Sequence, residues 1–282
     1  MISDYRNTDL RGVDFNNQRL SGARFDFADL RSSIFVDAIL YKADFFGANM
    51  CGSDLNRAFG QSANCRYTTL VESDLIEAIM RGANFSNANL HGATLIKARM
   101  GKAILELTNM QHTDCEQADM TQALMGRCYA QHANLRYSTL TEAELGSAGL
   151  QDADLYAGTL FGAQMTLAQC HRVNLKSGML NRADLVDANF SDAVLTQASL
   201  TDVNAESANF SGADMRHTTC VGSIFRHANL TNARLNGVDF THVDLTGADL
   251  RGADLTDSNI EKAELTDALL PPSHARLGET VV

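Results

Sequence analysis

From Leu10 to Leu270, every fifth residue is reserved for a medium or large apolar side chain, and the phase never slips. Of these 53 positions, 50 carry Leu, Phe, Met, Cys or Ile, and Gly60, Ala130 and Ala205 are the exceptions. Two residues before each sits a small residue: 33 of the 53 are Ala, and Gln18 is bulky. A helix face repeats at about 3.6 residues and a strand face at about 2, so a period of five fits neither. It fits a chain that turns a corner every five residues and stacks its coils, each burying apolar side chains against the next. The large and the small residue of each segment are then expected to point inward and fill a narrow interior together.

Segments such as Ala28-Asp29-Leu30-Arg31-Ser32, Ala83-Asn84-Phe85-Ser86-Asn87 and Ala248-Asp249-Leu250-Arg251-Gly252 resemble the A(D/N)LXX motif of pentapeptide-repeat proteins. The resemblance implies an all-β fold, a right-handed quadrilateral parallel β-helix in which four pentapeptides make one coil. With 53 in-phase positions, four to a coil, about 13 coils are expected, without loop insertions. Residues 20 apart then stack at about the 4.8 Å strand spacing. The Asp or Asn before each apolar residue is expected to bond backbone at the corners. The two prolines, Pro271 and Pro272, lie past the last repeat, as continuous backbone pairing between coils requires. The expected organisation is a partial first coil over 1–7, a β-helix over 8–270 and a tail over 271–282.

Three in-phase defects need local filling. The rings of Phe59 and Tyr129 are expected to cover part of the volume missing at Gly60 and Ala130 from the surface edge of a distorted side, and Leu185 and Phe225 to fill the gap at Ala205. An unfilled site costs a few kcal/mol as a cavity, on the order of 2–5.

Charge divides the chain unevenly. Residues 1–140 hold 15 acids and 14 bases, whereas 141–282 hold 19 acids and 9 bases, which together give the net −11. An acidic balance does not suit direct nucleic-acid binding. No charged-then-apolar leader opens the sequence and no apolar run approaches the roughly 18 residues of a membrane span, so a cytoplasmic protein without membrane contact is expected. Cys65, Cys115, Cys170 and Cys220 fall on the large inward site and Cys128 on the small one, leaving Cys51 outward. Free Cys at such positions acts as a small hydrophobe.

Phosphate-binding loops, HExxH zinc motifs and nucleophile elbows are missing, so the expectation is a non-enzyme without cofactor or catalytic residues. His112 and His132 share a column that continues to Asp152, with His91 and His171 beside it. A flat exposed ladder lacks the converging ligands of a metal site, and the column is read as a solvated stripe.

The outward apolar residues carry more information. Ile39, Phe59 and Ile79 stack in successive coils with Tyr41 beside them. Phe27, Phe46, Tyr67, Ile104, Leu107 and Leu124 map outward on the next side, and together these ten are the candidate partner-binding residues. Clusters of this kind mark interfaces, whereas scattered apolar residues do not. The leading functional expectation is a protein–protein interaction scaffold, monomeric or paired end to end. The resemblance adds an alternative: some members mimic DNA and protect DNA gyrase, a topoisomerase, from poisons, which the acidic second half suits. An accessory role in a bacterial secretion or differentiation system is the third.

Overall fold

The computed structural model describes residues 3–272. Residues 273–282, most of the expected tail, lie outside it. The chain forms two compact units, Met1–Glu144 and Leu145–Val282.

Within each unit, parallel bridges join residue n to residue n+20. Arg19 pairs with Ile39, and Ile39 with Phe59, in the first unit; Asp154 pairs with Asn174, and Asn174 with Val194, in the second. Four five-residue sides therefore make one coil, and each side contributes a single bridging pair rather than a long strand. The amide of an in-phase residue donates to the carbonyl 19 residues on, in the next coil, as Leu30 does to Asn49 at 2.7 Å.

The corners explain why five residues suffice for a side. The amide of the small residue closes a four-residue turn onto the preceding in-phase carbonyl, as from Ala28 to Phe25 at 2.9 Å. The third residue of each turn, from Asn7 to Asp267, has φ between 52° and 74°. A positive φ at that place is the signature of a type II turn. Of these 53 residues 41 are not glycine, although the left-handed region costs an ordinary L-residue about 1–2 kcal/mol. The coil imposes this conformation on whichever residue falls there.

The Asp or Asn of the motif satisfies the amide that the backbone ladder leaves over. Asp44 Oδ1 accepts from the Phe46 amide at 3.1 Å, and Asp154 Oδ1 from the Tyr156 amide at 3.0 Å. Ser and Thr at the small inward site bond back to the turn carbonyl, as Ser33 does to Leu30 at 2.6 Å and Thr113 to Met110 at 2.7 Å. Ser53 is buried in the same setting, yet its hydroxyl finds no partner among the described residues.

The interior is filled as the period predicts, with large and small in-phase residues buried almost throughout. In the first unit, Tyr5, Phe25 and Phe45 stack face to face at 4.9 Å, and Phe15 and Phe35 stack likewise. The two columns meet edge-on at 5.6–5.9 Å. Each fully buried ring or Leu contributes about 1.5–3 kcal/mol. Cys65, Cys115, Cys128, Cys170 and Cys220 are buried and Cys51 is half-buried.

The defect at Gly60 is filled from within the coil rather than by its aromatic neighbour. Phe59 and Tyr129 sit on the outward bridging position, 39% and 49% exposed, and cannot reach inward. At Gly60 the thioether of Met80, one coil on, occupies the volume: a Cβ on Gly60 would lie 3.0 Å from Met80 Cε. The flexible Met fills an irregular gap that a branched side chain could not enter. Beside Ala205, Phe225 is fully buried, and its ring is tilted 51° to Phe210.

Candidate interaction surface

In the first unit, the ladder Arg19–Ile39–Phe59–Ile79–Arg99 runs through successive bridges on one side. Three apolar rungs thus stand between two arginines. Tyr41 and Gln61 rise from the adjoining corner, and with Ile39 and Phe59 they line an open depression of about 390 Å³. Tyr41 is exposed, and the Lys42 ammonium lies 5.1 Å from its ring centre.

A second cluster occupies the corner one side further along the chain. Phe27 and Tyr67 both sit at the left-handed turn position, with φ of 57° and 58°. Phe46 lies between them, edge-on to Phe27 at 5.4 Å and to Tyr67 at 5.5 Å. The Arg66 guanidinium covers both Phe46 and Tyr67, at 5.9 and 5.7 Å. Leu107, φ 57°, repeats the arrangement two coils on, near the bridged pair Ile104 and Leu124. The structure therefore brings the ten candidate residues into three neighbouring groups on the first unit, all exposed or half-buried.

The sequence reading left out Tyr137, Leu167 and Met179, which are 46%, 50% and 50% exposed. The same phase rule places all three outward: Tyr137 and Leu167 at the turn position, Met179 on the bridge between Thr159 and Ser199.

His112 stacks on His132 at 5.0 Å with nearly parallel rings, and His91 meets His112 edge-on at 5.3 Å. Among the described residues no group of three or more His, Cys, Asp or Glu converges as metal ligands do. Burial pushes the thiols of Cys65, Cys115, Cys128 and Cys220 up to about 12. Such buried thiols are inert as nucleophiles. Among the described residues no helix is long and apolar enough to cross a membrane.

A sequence model described as "Pentapeptide repeats (8 copies)" matches in overlapping stretches over residues 6–127, 168–204 and 208–270. No curated protein matches the chain. Among solved structures, the chain is similar to HetL, a pentapeptide repeat protein involved in heterocyst differentiation regulation in the cyanobacterium Nostoc. The identity is 23%, with 95% of this chain and 91% of that one covered and a TM-score of 0.40. It is also similar to QnrB1, a plasmid-mediated fluoroquinolone resistance protein, at 17% identity, 82% and 93% coverage and a TM-score of 0.34. A third is Rfr23, a pentapeptide repeat protein of the cyanobacterium Cyanothece, at 26% identity, 34% and 63% coverage and a TM-score of 0.24.

Proposed function

Because the chain belongs to the pentapeptide repeat family, whose fold is a right-handed β-helix, we propose that it is a non-enzymatic scaffold that docks a protein partner on the first unit. The carrying observation is the apolar ladder Ile39–Phe59–Ile79 with Tyr41 beside it, on the outward bridging positions of one side. Contiguous exposed apolar groups of this kind mark interaction sites. Within the first unit, stacked coils joined by bridges at a step of 20 residues mount such a surface.

The test is direct. Changing Ile39→Asp, Phe59→Lys and Ile79→Asp together is expected to abolish recovery of the partner by affinity purification from the native cell, while the far-ultraviolet spectrum stays unchanged. Partner recovery at the wild-type level in the folded variant sinks this reading.

A second reading rests on a different observation, the excess of 19 acids over 9 bases in residues 141–282. An acidic surface of this kind suits occupation of a basic groove, as in binding to DNA gyrase. Purified protein titrated into a gyrase supercoiling assay, with and without a fluoroquinolone, decides it. No inhibition and no protection dismiss it.

A further inference from the structure

The cations around the ladder on the first unit are held differently from several others in that unit. Some arginines are clamped by carboxylates: Arg57 by Asp37 at 2.7 and 2.9 Å, Arg31 by Asp29 at 2.6 and 2.8 Å. Arg19, Arg81 and Arg99 are exposed, and among the described residues no carboxylate lies within ion-pair distance of them. Lys42 is likewise unpaired and leans on the Tyr41 ring. These four cations border the apolar rungs on the ladder axis and along the adjoining corner. The nearby acids are accounted for. Asp37 is engaged by Arg57, Asp44 accepts from Asn64 Nδ2 at 2.8 Å, and Asp119 is the rung beyond Arg99 and caps the Thr121 amide. Glu77 stands on the opposite corner, close enough to Arg57 to act on its charge.

We infer that this surface takes an acidic, extended protein segment with bulky apolar side chains: the apolar residues lie over Ile39, Phe59 and Ile79, and the carboxylates pair with Arg19, Lys42, Arg81 and Arg99. This rests on the docking reading and adds the partner's chemistry to it. Length supports the match. Four steps from Arg19 to Arg99 at strand spacing span about 19 Å, which about six extended residues cover. Exposed guanidinium groups with nothing to bind are the natural receptors of carboxylates, in paired geometry. The chain's net charge of −11 does not prevent this. Charges beyond a Debye length of about 8 Å are screened at physiological salt, so the nearby cations decide the local preference.

The experiment measures fluorescence anisotropy of the full chain with four labelled probes: a random glutamate–tyrosine copolymer, polyglutamate, a lysine–tyrosine copolymer and a DNA duplex. The expected result is binding of the glutamate–tyrosine copolymer, with polyglutamate weaker and the other two weaker still. Affinity is expected to fall about tenfold in Arg19→Glu/Arg99→Glu and about tenfold in Phe59→Asp, and to survive in Arg19→Lys/Arg99→Lys. Salt is expected to weaken the wild type more than the charge-reversed variant. The inference is overturned by equal binding of both copolymers, by equal binding of polyglutamate, by tighter binding of the duplex, or by full affinity in the charge-reversed variant. If the copolymer fails to bind while the Ile39, Phe59 and Ile79 triple variant still loses its cellular partner, the acidic chemistry falls and the docking reading stands. If the triple variant also keeps that partner, both fall.

Discussion

The ring of Phe27 lies over Gly47, one coil further along, where an added Cβ would meet Phe27 Cε1 at 2.7 Å. Gly47 itself has φ +64°. The glycine thus does two things: it takes the left-handed turn without a side chain, and it leaves the space in which Phe27 turns toward Phe46. Gly47→Ala is expected to push Phe27 outward and to add about 1 kcal/mol of backbone strain. A lower melting temperature with weakened partner recovery is the expected pair of results. Phe27→Ala in the same background should restore part of the melting temperature but not the binding.

Met80 and Gly60 make a second coupled pair. Met80→Ala is expected to destabilise by about 2–5 kcal/mol, because the gap at Gly60 then has no filler. Gly60→Leu alone is expected to destabilise through overlap with the Met80 thioether. The double variant should be more stable than either single one, a sign reversal that a denaturant double-mutant cycle reads directly.

Ser33 and Ser53 occupy equivalent inward sites with different hydrogen bonding. Ser33→Ala removes a made bond and is expected to lower stability by about 1 kcal/mol. Ser53→Ala removes an unpartnered buried hydroxyl and is expected to raise stability by about 1 kcal/mol. Opposite shifts in urea midpoint at unchanged m-value check the pair.

Side-chain and backbone hydrogen bonds from Arg6 and Arg11 hold the carboxyls of Asp4 and Asp9 down to about 2, from an ordinary 3.8. A folded-state value below the unfolded one means stabilisation that is complete above about pH 4. It fades as pH falls from 3.8 toward 2, when the folded carboxylates take up protons. Carbon-13 titration of the two carboxyls should place both midpoints near 2 in the wild type. Arg11→Ala should move the Asp9 midpoint back toward 3.8 and leave that of Asp4 in place.

Nearly all of the core is legible in the sequence, because inward residues follow one period and each is chosen for volume. The burial of Cys128 at a small-residue position is a case in point. What the period could not convey is how a gap is filled. Whether Phe59 or Met80 fills the place of Gly60 depends on side-chain direction, and an outward bridging residue cannot turn back through its own backbone. The surface was legible in position but not in pairing. Phase alone places Arg19 and Arg57 outward, but which of them is clamped depends on the acid one coil away: Asp37 lies below Arg57, whereas Ile39 neighbours Arg19.

The step of 20 residues between bridged partners bears on how such a chain tolerates length changes. Removing 20 residues inside a unit would bring every remaining column back into line, so a surface ladder would merely lose a rung. Removing five would keep an apolar and a small residue on every side, although local pairs such as Met80 and Gly60 would be re-matched where the cut falls between them. Every downstream outward residue would nevertheless move to the neighbouring side, and a composite surface such as Arg19–Ile39–Phe59 would be cut apart without any loss of fold. Binding in this protein is therefore exposed to small deletions that the fold itself would survive.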